Sequence, residues 1–260
     1  MPAEKLFRGV WPKVAALAIG ALVWQVVVWT HWKPSYLLPG PVPTWRALVH
    51  DNHDLLGATG NTLLTVIEGY VISLVLGTLL AVLITRVEMV RRAVSPLITG
   101  FQAMPSVSWV PLAILLFGVH DQAVLFVTVL GSAPALAIGT IGGIDSVSPV
   151  LLRAGKVLGA RGFKRYLYVV LPGALPGYVT GLKQGWAFAW RSVMAGELIA
   201  QIQGRPTLGG LQSTYQDHSL APDLLAVMVV ILAVGLLMDT LVFSRLESTV
   251  LTRRGLLQKT

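Results

Sequence analysis

Residues 61–85 read NTLLTVIEGYVISLVLGTLLAVLIT, 25 consecutive positions whose only charge is Glu68. A helix rises about 1.5 Å per residue, so roughly 20 mostly apolar residues cross the ~30 Å hydrocarbon core of a bilayer. This run is long enough and apolar enough to span. Working outward, five further segments qualify, at about 13–32, 94–118, 122–143, 173–200 and 223–243. The third is interrupted by Pro105 and Pro111, so a kink or re-entrant stretch is expected there. The fifth is the least apolar and carries Lys183, Arg191 and Glu197. The expected fold is all-α, a polytopic membrane protein with about six transmembrane helices. Residues 1–260 form one transmembrane domain with its core over 61–243.

Composition agrees. Of 260 residues, 54% are hydrophobic and 12% charged, against roughly 25% charged in a soluble domain. So little polar surface leaves lipid as the natural solvent. The absence of cysteine excludes a disulfide framework, a thiolate metal site and a cysteine nucleophile. Lys5, Arg8 and Lys13 before the first apolar run resemble the start of a signal peptide. The run from Val14 to Trp32 is too long for that and lacks an A-x-A site near its end, so it reads as a retained span.

The net charge of +8 raises nucleic acid as a partner, but its placement argues against it. The N-terminus, the 86–93 loop, the 144–172 loop and the C-terminal tail together hold fifteen of the 20 Lys and Arg residues. The opposite side has only Lys33, Arg46 and Arg205; Lys183 and Arg191 fall within the fifth span. The positive-inside rule makes the first side cytoplasmic, with both termini there, as an even number of spans requires. Trp11, Trp29, Trp32 and Trp45 fall near expected interfaces, whereas Trp109, Trp186 and Trp190 fall at membrane depth.

The segment 145–172 does not read as a simple loop. Asp145 or Ser148 can cap a helix and Pro149 suits its first position. Val150, Leu151, Ala154, Val157 and Leu158 then recur with a one-face helical period. Gly159 and Gly162 permit a break. A second amphipathic turn follows, with Phe163, Tyr166, Leu167 and Val170 apolar and Arg161, Lys164 and Arg165 basic; Leu171-Pro172 is expected to end it. Two short helices on a glycine hinge thus present a basic and apolar face. From these residues alone, contact with anionic lipid and docking to a protein partner are equal readings.

This segment resembles the signature loop of ABC importer permeases, E-A-A-x3-G-x9-I-x-L-P. The matching positions are Arg153-Ala154-Gly155, Gly159 and Val169-x-Leu171-Pro172, with every spacing kept. Arg153 stands where the family has Glu, Gly155 where it has Ala, and Val169 where it has Ile. The resemblance extends over roughly residues 35–245, through Leu38-Pro39-Gly40-Pro41 with Trp45, Met104-Pro105, Trp109-Val110-Pro111-Leu112, Gly142–Pro149, Gly185–Glu197 and Leu208-Gly209-Gly210-Leu211. These are similar to the sulfonate, taurine and nitrate group of such permeases.

The resemblance implies a permease homodimer in the bacterial cytoplasmic membrane, two copies of a separate ATPase subunit, and an external substrate-binding protein. The loop would be the coupling helix set in an ATPase cleft, through Arg153, Ala154, Gly155, Leu158, Gly159, Phe163, Leu171 and Pro172. Segments 33–58 and 201–222 would receive the binding protein. The expected cargo is a small anionic solute, an aliphatic sulfonate or taurine first, then nitrate or a vitamin precursor.

Ionisable groups at membrane depth are costly, so each calls for a role. Glu68, Trp190, Arg191 and Glu197 are the candidate pathway residues. Arg191 suits an oxyanion because guanidinium presents a planar fork, and pairing with Glu68 or Glu197 is an equal reading. Arg191 and Glu197 lie about 600° apart around one helix and so point to different faces. Lys183 is expected to snorkel or to pair, with Glu68 for example, and Asp239 to be a solvated end residue. His50 and His53 with Asp51 and Asp54 could hold a metal, but a wet polar loop is the stronger reading, so no metal or cofactor is expected. No G-x-G-x-x-G or G-x-x-x-x-G-K-[ST] occurs, so the chain carries no nucleotide cradle and is not expected to be an enzyme. A membrane-embedded enzyme would need a nucleophile–base pair or metal cluster at depth. A secondary transporter would show an internal repeat. Neither is visible.

Overall fold

The computed structural model describes residues 2–202 and 204–254. Lys259, one of the basic tail residues, lies outside them, and the side chains of Lys5, Arg8 and Lys13 are not described. The secondary structure of the described residues is helical. The helices are α1 (Pro2–Trp29), α2 (Pro41–His50), α3 (Asn52–Arg86), α4 (Glu88–Ala103) and α5 (Val110–Phe117), the last preceded by a 3₁₀ turn at Ser106–Trp109. They continue with α6 (Asp121–Asp145), α7 (Pro149–Val157), α8 (Gly162–Arg165), α9 (Leu171–Ile199), α10 (Leu208–Asp217), α11 (Ala221–Met238) and α12 (Ser244–Arg253). Two π-helical stretches, Tyr166–Val170 and Asp239–Phe243, run into α9 and α12 without interruption.

Each apolar run of the sequence is a helix. Among the described residues three helices are long and apolar enough to cross a bilayer, Asn52–Arg86, Asp121–Asp145 and Ala221–Arg253, and four if the bent pair Glu88–Ala103 with Ser106–Phe117 counts as one broken span. That pair is bent by 97°, the interruption expected at Pro105. Of the six expected spans, the other two are helical but fall short of the same measure. The stretch of α1 whose side chains are described without a gap is Ala15–Trp29, which is apolar but short of that length, and α9 is long but carries Lys183, Gln184, Arg191 and Glu197.

The core forms where α6 and α9 pack along their lengths with α3 beside them. Glycines make this approach possible: a Cβ on Gly77 would stand 2.9 Å from the Leu136 Cβ, and one on Gly69 2.6 Å from the Thr128 Cγ2. Hydroxyls inside the apolar helices are satisfied locally. Ser73, Thr128 and Ser132 each donate to the carbonyl four residues back, and Ser132 also approaches the Ser73 hydroxyl at 2.6 Å. Val66, Val124, Trp186, Ala189, Val193 and Phe243 are buried together. The exterior is the reverse of a soluble protein's, with Leu64, Val75, Leu79, Leu83, Leu232 and Leu237 exposed.

The two charge-bearing ends of the sequence separate in space. At one end Arg91 makes a two-pronged pair with Asp145, 3.0 Å for its Nη1. There Arg86 lies 5.0 Å over the Tyr166 ring, and Arg254 donates to the Pro172 carbonyl. At the other end Arg205 pairs with Asp121 at 2.7 Å, and Asn61 donates to the Pro206 carbonyl at 2.8 Å. Tyr215 donates there to Asp51 at 3.3 Å, and burial together with Asp51 pushes its hydroxyl up to about 12.

Candidate functional site

The segment 148–171 is built as a crest. The Ser148 hydroxyl accepts from the Val150 N–H at 3.3 Å and Pro149 opens α7. The helix closes with Leu158 N–H on the Ala154 carbonyl at 3.0 Å and Ala160 N–H on the Gly155 carbonyl at 2.9 Å. Gly159 (φ 82°) and Gly162 (φ 53°) then turn the chain in the left-handed region that glycine tolerates best. Gly155 is buried because α7 folds back on the π stretch; a Cβ there would come within 2.6 Å of the Val169 Cγ2. Below the crest lies a cavity of about 340 Å³ lined by Arg86, Thr140, Phe163, Tyr166 and Tyr178.

What faces outward is apolar and basic. Val157 is 87% exposed, Leu158 85% and Phe163 72%. Arg153, Ala154, Lys156, Gly159, Arg161, Lys164 and Arg165 are exposed around them. The five cations form no ion pair among the described residues. The expected helix–glycine–helix plan is present, with one correction. Leu171-Pro172 does not end the second helix, because the π stretch leads directly into α9. Pro172 therefore lies inside a continuous helical run, which gives up one backbone hydrogen bond at its missing N–H. Leu171 is exposed and Pro172 half-buried.

The candidate pathway residues are not brought together. Glu68 is exposed on α3 and forms no ion pair among the described residues. Arg191 is exposed on α9 with its guanidinium 5.5 Å from the Phe188 ring centroid. It lines a cavity of about 470 Å³ with Lys183, Trp190, Gln212 and Asp239, between α9 and α11. Trp190 is half-buried and packs against both the α3–α9 core and the cluster around Leu55 and Leu208. Glu197 is 2% exposed. Its Oε2 accepts from the Thr62 hydroxyl at 2.9 Å and the Gly209 N–H at 3.1 Å, while Thr62 itself accepts from the Leu208 N–H at 3.0 Å. The other oxygen, Oε1, has no hydrogen-bond partner.

Lys183 pairs, as expected, but with residues at the end of the last span and in α12 rather than with Glu68: its Nζ lies 3.2 Å from Asp239, 3.9 Å from Glu247 and 3.5 Å from the Ser244 hydroxyl. One expectation is corrected. Asp239 is accordingly a paired residue rather than a freely solvated one. The π stretch at 239–243 runs straight on into α12, which brings Glu247 back against α9. Thr62, Gly209 and Glu247 were not anticipated from the sequence. Only the Leu208-Gly209-Gly210-Leu211 turn carried a signal. Among the described residues no three His, Asp or Glu side chains cluster as a metal site would require.

The family described as the binding-protein-dependent transport system inner membrane component matches residues 61–247. A putative ABC transporter permease of Methanocaldococcus jannaschii is 27% identical over 233 residues, 87% of this chain and 86% of that one. The taurine transport system permease protein TauC of Escherichia coli is 30% identical over 150 residues, 58% of this chain and 54% of its own. The bicarbonate transport system permease protein CmpB of Synechocystis is 25% identical over 256 residues, 92% and 89% of the two chains. Among solved structures, an amino acid ABC transporter superposes with a TM-score of 0.61 at 20% identity, over 79% of this chain and 96% of that one. The methionine transporter MetNI in an inward-facing conformation gives 0.58 at 23% identity, over 80% and 98%. At these identities the two structures bear on the fold alone.

Proposed function

This chain belongs to the family of binding-protein-dependent transport system inner membrane components and is a permease subunit of an ABC importer, and from that premise we propose how it is driven and what it carries. Membership implies an ATPase partner and a substrate-binding protein. In this reading two copies of the chain form one pathway. Two ATPase subunits bind the 148–171 crest on the cytoplasmic side, and the binding protein rests on 33–58 and 201–222. The loops richest in Lys and Arg face the cytoplasm. ATP hydrolysis is carried by the separate subunit.

The observation that carries this reading is the crest. Val157, Leu158 and Phe163 stand almost fully exposed at the apex of a turn that two left-handed glycines hold in shape. Exposed apolar side chains ringed by charge suit insertion into a partner's groove. The test is co-expression with the cognate ATPase and detergent-stable co-purification. Leu158→Asp alters only an exposed side chain; Gly159→Asp adds strain at φ 82°. Association of the wild type, lost in both variants while the permease still folds, is the expected result. A wild-type chain that purifies alone would make the crest a lipid-facing helix instead.

For cargo we propose a small oxyanion, an aliphatic sulfonate or taurine in first place. The solutes named for the taurine and bicarbonate relatives share an anionic oxygen group. Arg191, unpaired among the described carboxylates and lining a cavity with Lys183 and Gln212, offers a fork for such a group. Uptake of labelled taurine, nitrate and bicarbonate by the reconstituted importer separates the candidates.

A further inference from the structure

The bend between α4 and α5 occurs at an unusual depth. Along the chain it is bracketed by Arg91, paired with Asp145 at one end of α6, and Asp121, paired with Arg205 at the other. Its neighbours fix its level. A Cβ on Gly131 would stand 3.6 Å from the Ser106 Cβ, and Gly131 lies between these ends, about 15 Å along α6 from Asp121 at 1.5 Å per residue. The Ser192 hydroxyl of α9 is packed into the same junction, where it overlaps the space of that Cβ and has no hydrogen-bond partner.

At this level the backbone is not helical. Met104 (φ −70°, ψ 132°) and Pro105 (φ −57°, ψ 129°) are extended, and two backbone bonds cross the turn, Met104 N–H to Phe101 C=O at 3.3 Å and Ser108 N–H to Pro105 C=O at 2.9 Å. The last carbonyls of a helix have no partner within it. Yet the segment is open on the single chain, with Phe101, Met104 and Val107 each 44% exposed and Ser108 also exposed. The Phe101 and Trp109 rings stack across the break at 5.5 Å and 5°, so the two arms are held together in this shape.

Irregular backbone at membrane depth is tolerated only where protein buries it or where it lines a water-filled space. We propose that residues 101–109 form the solute-facing wall of the aqueous pathway, closed off from lipid by a second copy of the chain. Gln102, Ser106, Ser108 and the free carbonyls after α4 supply the polar surface, and the stacked Phe101–Trp109 pair supplies a rigid apolar edge. Arg191 lies on α9 directly before Ser192 but lines the cavity between α9 and α11 on another face. The proposal rests on the permease reading above.

The chain has no cysteine, so single thiols report without background. Ser108→Cys and Val107→Cys are introduced on the break, and Val75→Cys on the unbroken α3. Ser73 on α3 faces the Val129 carbonyl of α6, so Val75, exposed on regular helix, is the reference at matching depth. The assembled permease–ATPase complex is isolated first, reconstituted in vesicles, and treated with a membrane-impermeant anionic methanethiosulfonate. A thiol in water ionises and reacts while one in hydrocarbon does not, so the break positions are expected to label at least about tenfold faster than Val75→Cys. Complex that forms while both break positions stay as unreactive as Val75→Cys overturns the proposal and leaves the family reading intact. Failure of the complex to form at all would count against the ATPase reading instead.

Discussion

Gly139 of α6 and Gly181 of α9 meet backbone to backbone: a Cβ on Gly181 would stand 2.8 Å from the Gly139 Cα. One turn away, a Cβ on Gly177 would stand 2.6 Å from the Gly143 Cα. Small residues let membrane helices pack through their backbones where lipid supplies no hydrophobic drive between them.

A leucine at Gly139 has no flexible side chain to push aside, only backbone. Gly139→Leu is expected to cost more than the ~1–3 kcal/mol typical of overpacking and to leave little folded protein. Gly142→Leu, three residues on with nothing within 4 Å of its Cβ position, is expected to be tolerated. Monodispersity of the detergent-extracted chain by size exclusion compares the two. Equal yields of both variants would mean the helices separate at little cost.

The Glu197 carboxylate holds α3 and the start of α10 through a single oxygen. Glu197→Gln keeps an acceptor for the Thr62 hydroxyl and the Gly209 N–H and places its amide where no partner is disturbed. Glu197→Ala strips both buried donors, at about 1–3 kcal/mol each. The expected result is a thermal midpoint near wild type for Gln and well below it for Ala. An Ala variant as stable as wild type would show that these bonds contribute nothing net.

Lys183, Asp239 and Glu247 form a partly exposed triad. A double-mutant cycle of Lys183→Met with Asp239→Asn is expected to give a coupling of no more than about 1 kcal/mol, reduced by salt. Lys183→Met alone should be the milder single change, since it leaves carboxylates that can reach water. Thermal midpoints at low and high salt measure both. A coupling that ignores salt would place the pair in a drier setting than its exposure suggests.

The sequence disclosed the helices because hydropathy reports depth, and it disclosed the bend because Pro105 and Pro111 fall within one apolar run. It disclosed the crest through the spacing of Gly159 and Gly162. Partners around each helix were beyond it. The sequence left Lys183 to pair with Glu68 or another helix; it did not show that the partners are Asp239, at the end of the last expected span, and Glu247 of α12. The role of Glu197 was equally hidden, since its partners are Thr62, 135 positions away, and a backbone N–H at Gly209. Such pairings depend on which face of a helix meets which neighbour, and a linear pattern does not contain that angle.

Helix α9 is held very differently at its two extremities. Near Ile199 it is bolted, through Glu197, to both the long helix α3 and α10, a strap whose second residue is Gly209. Near Leu171 it continues from a π stretch fed by a glycine swivel. A beam clamped at one end and pivoted at the other turns a small sideways push at the pivot into a tilt along its length, while the clamp passes that load straight into the strap.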